Sequence, residues 1–130
     1  MNTYSYLILR LVIAASMFGH GLVRLPKIAT FSEWMVNSFK GSILPSVMVT
    51  SFSYALPIAE FAIGLLLLLG LFTKQAAFAG GIVMVILVFG ATTVENWEII
   101  PAQLIHAVFF ATLIHFNANN SFAADNLINK

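Results

Sequence analysis

Six ionisable side chains stand inside or at the ends of long apolar stretches: Arg10, His20, Arg24, Glu60, His106 and His115. His20 and Arg24, in "FGHGLVRLPK", are four residues apart and share one helix face, and Arg10 lies within about 80° of both at 100° per residue. Glu60 sits about 11 residues from either end of "VTSFSYALPIAEFAIGLLLLLGLF", near the middle of a bilayer at 1.5 Å per residue. An acid at that depth costs roughly 2.5–3.5 kcal/mol on insertion scales, so it is expected to face the bundle interior and find a partner. His106 shares its depth, with Gln103 three residues before it. His115 is nine residues further on, about 180° around the helix, so only one of the two histidines can face the same point. His106 reads as inward and His115 as interfacial.

The chemistry open to such a set is proton exchange and hydrogen bonding in an apolar chamber. A His/Glu/His group can ligate a metal, but no H-E-x-x-H or E-x-x-H pair is present, and no metal site is expected. A quinone headgroup matches better, because it needs hydrogen-bond donors, a proton-exchanging His or Glu and a greasy entrance. The expected pocket is Arg10, His20, Arg24, Glu60 and His106, with the two arginines at its ends and quinone as a non-covalent cofactor. Arg10 can reach about 6 Å inward or snorkel outward, and Arg24 and Lys27 can snorkel to the interface. The same histidines also read as plain interhelical hydrogen-bond partners.

These side chains must be positioned by apolar rods. Of 130 residues, 60% are hydrophobic and 8% charged, against about 25% charged in a soluble domain. A helix of about 20 apolar residues crosses about 30 Å of hydrocarbon. Four such stretches, about 4–25, 49–72, 75–94 and 99–116, predict an all-α integral membrane four-helix bundle, with residues 1–130 as one domain in a lipid bilayer. A net charge of +1 gives no field for nucleic acid. The absence of cysteine excludes thiolate catalysis, disulfides and Cys-ligated zinc or iron–sulfur clusters. The first positive charge, Arg10, falls inside the first apolar run, so that run reads as a retained span and not a cleaved signal.

Pro26 is expected to push Leu25 out of helical geometry and end the first span. A short amphipathic helix is predicted at about 30–41, with Phe31, Trp34, Met35 and Phe39 opposite Ser32, Glu33, Asn37 and Lys40. Thr30 and Glu33 form a capping-box pattern at its start, and its aromatic face should lie in the headgroup plane. Pro57 predicts a kink one turn before Glu60, and "TKQ" at 73–75 a tight turn between antiparallel neighbours. Gly80, Gly81 and Gly90 suit close helix contact. "ENWE" at 95–98 reads as a turn with Trp97 at the interface, and the tail after residue 116 as a polar ending. Arg24, Lys27 and Lys40 balance Arg10, Lys74 and Lys130, so charge leaves the orientation open.

The stretches "LILRLVIAASMFGHGLVRLPK" and "AEFAIGLLLLLGLFTKQAA" resemble the DoxX family of small four-span membrane proteins. Arg10, Gly19, His20, Gly21, Glu60, Gly64, Gly70 and Thr73 carry the likeness, and Asn117 and Asp125 a weaker one in the tail. Arg24 stands where the family commonly has Lys. The resemblance implies the four-span fold and a setting in membrane redox or oxidative-stress complexes of the cell (inner) membrane, from the quinol oxidase and thiosulfate:quinone oxidoreductase context that names the family. It implies a redox-associated or quinone-interacting subunit, partnered by a membrane redox complex or a second copy of itself, and leaves open whether the chain is an enzyme. Two other readings stand beside it. One is a non-catalytic assembly subunit that meets partners through span three and the face 31–39. The other is a small-solute or proton transporter, which would need an oligomer.

Overall fold

Long apolar runs in a medium without water must satisfy their backbone groups internally, and helices do so. In the computed structural model, which describes residues 1–128, they form α1 (Thr3–Arg24), α3 (Ser46–Leu69), α4 (Thr73–Thr93) and α5 (Ile100–His115), with α2 (Ile28–Ser38) between the first two and α6 (Asp125–Ile128) in the tail. Among the described residues there is no strand. With their flanking turns, four helical rods are long and apolar enough to cross a membrane: Thr3–Ser38, Ser46–Leu69, Thr73–Thr93 and Trp97–His115. Lys130, part of the charge balance above, lies outside the described residues. Around the bundle α1 packs on α3, α3 on α4, α4 on α5 and α5 back on α1.

Pro26 does not end the first rod where expected. Leu25 keeps helical dihedrals (φ −58°, ψ −45°) because Pro26 stands at the start of a 3-10 turn, Leu25–Lys27, where its missing N–H is not needed. The break falls at Lys27 (φ −127°, ψ 40°). Because α2 follows that helical turn directly and begins at Ile28, Thr30 already lies inside the helix, and the capping box does not form.

Nor does α2 lay one whole aromatic face on lipid. Its Phe31 and Met35 are buried against Val49 and Leu56 of α3, while Trp34 is 60% exposed. Ser32, expected on the polar side, is buried with its Oγ 2.6 Å from Ser53 Oγ. Val49, Ser53 and Leu56 recur at four and three residues, so α3 offers a matching stripe. The hydroxyl pair fixes the register of α2 upon it.

The turn between α3 and α4 falls earlier than "TKQ". Gly70 takes the left-handed conformation (φ 67°), and Leu71 N donates to Leu66 O at 2.9 Å, a glycine-terminated helix end. Thr73 joins α4 because the Asp125 carboxylate accepts from the N–H groups of Phe72 and Thr73. Ala124 N and Asp125 N donate to Leu69 O and Gly70 O at 3.1 and 2.9 Å. The tail is thus seated on the α3–α4 turn.

The closest packing joins α1 to α3. A Cβ on Gly21 would stand 2.5 Å from Phe61 N, and one on Gly64 would run into the Phe18 backbone. Two bare positions therefore let the backbones touch at two levels. Below them Tyr6, Ile13, Ala14 and Met17 form one core with Ile63, Leu67, Ala77, Met84, Phe110 and Leu113. Gly80 packs on the Phe110 ring and Gly90 near Phe39, whereas Gly81 has nothing within 4 Å and plays no part in helix contact.

Overpacking a filled contact typically costs about 1–3 kcal/mol. Gly21→Ala and Gly64→Ala should each lower the thermal midpoint in detergent by that order, whereas Gly81→Ala should hold or slightly raise it. Equal midpoints for all three variants would contradict the backbone contact.

Candidate functional site

Residues of α1 to α5 line a half-open cavity of about 650 Å³. Most of its wall is apolar, from Phe31 and Met35 of α2, Leu56 of α3 and Met84 and Leu87 of α4. Trp34, Met48, Ile86 and Phe89 line it while remaining exposed, so its rim is apolar too. Against this wall His20, Arg24, Glu60, Gln103 and His106 converge.

Arg24 Nη1 donates to Glu60 Oε1 at 2.8 Å; the Glu60 side chain is only 5% exposed and that of Arg24 29%. The Arg24 guanidinium also lies over the Phe31 ring, 4.5 Å from its centroid. Arg24 therefore does not snorkel outward. A carboxylate held in an apolar bundle attracts the nearest cation strongly, and Arg24 stands one turn beyond Gly21, where α1 and α3 touch. Glu60 Oε2 has no hydrogen-bond partner among the described residues.

The two histidine rings are 6.5 Å apart, centroid to centroid, and nearly perpendicular. His20 Nδ1 lies 2.6 Å from Ser16 O, and His106 Nδ1 lies 2.7 Å from Ala102 O. Carbonyl oxygens only accept, so both Nδ1 atoms carry the hydrogen. His106 Nε2 lies 2.7 Å from Ser16 Oγ, which donates to it in the neutral ring. Ser16 thus holds both rings, one through its carbonyl and one through its hydroxyl. Sequence reasoning missed it; the only signal was a hydroxyl four residues before His20. Gln103 Oε1 is buried and unpaired among the described residues.

Arg10 is not part of this cavity. It is 3% exposed near the terminal end of the bundle, where Nη1 donates to Asn120 Oδ1 at 2.6 Å and Asn120 Nδ2 donates to Thr73 Oγ1 at 3.0 Å. Of the two uses expected for Arg10 it takes neither, because the folded-back tail brings an amide oxygen to it. Nearby, Tyr6 Oη donates to Leu113 O at 2.9 Å, tying α1 to α5. His115 is exposed against Phe116, away from the cavity. No cluster of three or more His, Asp or Glu residues suited to a metal ion occurs among the described residues.

Fold and cavity together define an integral multi-pass membrane protein, a helix bundle with a polar cluster set into an apolar internal chamber. The sequence model of the DoxX family matches residues 5–93, more than half of the chain, and the chain belongs to that family. No curated protein and no solved structure matches it. The matched stretch holds His20, Arg24 and Glu60 and ends with α4, so Gln103 and His106 come from beyond it.

Removing one partner of a buried pair strands the other charge, at about 3–5 kcal/mol when burial is complete; the partial exposure of Arg24 reduces this. Glu60→Leu and Arg24→Leu should each lower stability, and the double variant should lose clearly less than the two losses added. Additive losses in that cycle would mean the pair is uncoupled. At the other end, Asn120→Ala removes the hydrogen bond to Arg10 and should cost about 1.5–3 kcal/mol. Thermal unfolding should show that loss while any ligand of the cavity binds as before.

Proposed function

We propose that this protein is a redox-associated subunit of the cell (inner) membrane that holds a quinone headgroup in the cavity between its helices. The observation that carries this reading is the convergence of Arg24, Glu60, His20 and His106 on one wall of a chamber whose rim is apolar and exposed. About 650 Å³ lies within the range of small-molecule sites, about 300–1,000 Å³. Exposed Trp34, Met48, Ile86 and Phe89 suit entry from acyl chains, the source of a lipid-soluble ring. Inside, Phe31 and Met35 offer flat and adaptable apolar surface. Arg24 has N–H groups beyond the one spent on Glu60 and can donate to a ring oxygen, while His20 and Glu60 can accept. A bound quinone would supply electron-carrying chemistry; the chain's own part is to bind the ring, orient it and keep water away.

Thermal-shift titration of the detergent-purified protein with a decyl-substituted benzoquinone tests this. A ligand at one hundred times its Kd stabilises by about 2.7 kcal/mol, so the wild-type midpoint should rise measurably. With the reduced, hydroxyl-bearing form of the same ring, Glu60→Gln and His20→Ala should fold yet lose most of the rise, because those side chains accept its hydrogens. An unshifted wild type, or variants that respond as it does, would leave the assembly-subunit reading in its place.

A further inference from the structure

The two cavity histidines look equivalent by depth and are not equivalent by hydrogen bonding. His20 spends Nδ1–H on its own helix, at Ser16 O, so in the neutral ring Nε2 carries a bare lone pair, and no described residue donates to it. His106 spends Nδ1–H in the same way at Ala102 O, but its Nε2 is already occupied by Ser16 Oγ. Both rings line the cavity. Among the described residues, Glu60, already paired through Oε1, Arg24, Gln103 and His106 line the cavity with His20.

Resting on the quinone reading of the cavity, we infer that His20 Nε2 selects a ring bearing a hydroxyl donor, and that Ser16 removes His106 from that task and keeps it as a positioned wall. Three acceptors, His20 Nε2, Glu60 Oε2 and Gln103 Oε1, lack a donor among the described residues, whereas Arg24 keeps N–H groups beyond the one given to Glu60. A carbonyl oxygen satisfies Arg24 and leaves all three acceptors empty. A hydroxyl oxygen can accept from Arg24 while its hydrogen goes to one of those acceptors, so the hydroxylated ring satisfies more of the site. Glu60 is buried, so its unpaired oxygen is the costlier one to leave, while His20 is exposed and open to an entering ring.

The chain has three histidines, which makes ¹⁵N-histidine NMR in detergent decisive. At about pH 8, above the usual imidazole range, ligand-free protein should show His20 and His106 both protonated at Nδ1. A decyl benzohydroquinone, added without oxygen, should shift His20 Nε2 and leave His106 Nε2 in place; its dimethyl ether should shift neither. Ser16→Ala should move the His106 Nε2 resonance and leave the His20 tautomer intact, since the carbonyl that holds His20 remains. By calorimetry, His20→Phe should weaken the hydroquinone about tenfold and leave the ether unchanged. His20 protonated at Nε2, a shift at His106 in place of His20, or equal loss of both compounds in His20→Phe overturns the inference. Equal wild-type affinity for the two compounds overturns it alone, and binding of neither overturns the cavity reading along with it.

Discussion

One ion pair in an apolar bundle, Arg24 with Glu60, sets most of what surrounds it. A carboxylate that deep needs a cation within reach, and Arg24 reaches it because α1 and α3 run almost in backbone contact. Gly21 sits one turn before Arg24 and presses on Phe61, the residue after Glu60. Gly64, one turn beyond Glu60, presses on Phe18. Side chains at either glycine would part the helices and with them the charges. The small residues are thus the geometric condition for the pair, and the pair offsets the cost of an acid at that depth. Phe31 adds a ring face to the guanidinium, which links α2 to the same arrangement.

The basic residues of α1 are divided between two stations with different work. Arg24 belongs to the cavity. Arg10 belongs to a second polar cluster, with Asn120, Thr73 and Asp125, that fastens the tail over the α3–α4 turn and caps the start of α4. That cluster closes one end of the bundle, with Arg10 Nη1 paired and Arg10 Nε buried without a partner among the described residues. The cavity has acceptors left open and apolar walls uncollapsed. Each end thus keeps one buried polar atom without a partner among the described residues, Arg10 Nε at the tail and Gln103 Oε1 in the cavity.

Properties that depend on one continuous stretch could be read from the sequence. The four apolar stretches coincide to within about four residues with the helices α1, α3, α4 and α5, because a long apolar run folds as a helix whatever its distant partners. Counting 100° per residue separated His106 from His115, which is local helix geometry. Pro26 was misread because the same residue that breaks a helix interior also fits the first turn of the next one. Arg10 was misassigned because its partner, Asn120, lies 110 residues away, and Thr73 was placed in a turn because the carboxylate that caps it comes from the tail. Ser16 escaped notice because two hydrogen bonds, one of them to another helix, give an ordinary helical serine its role.

The cavity wall on α5 differs in kind from the others. Only Phe110 and Leu113 of α5 are buried, Phe110 in the space left by Gly80 and Leu113 where its carbonyl receives Tyr6. Both lie in the second half of the helix, so its first half, with Gln103 and His106, frames the chamber with little packing behind it. Sparse burial lowers the free energy of local opening. That half also falls outside the family match, which ends with α4. The ion pair and His20 therefore rest on the tightly packed α1–α3 unit, and the first half of α5 is joined to it through the His106–Ser16 hydrogen bond. A bundle built this way holds its charge pair on the rigid side of the chamber and leaves the lightly packed half-helix on the other.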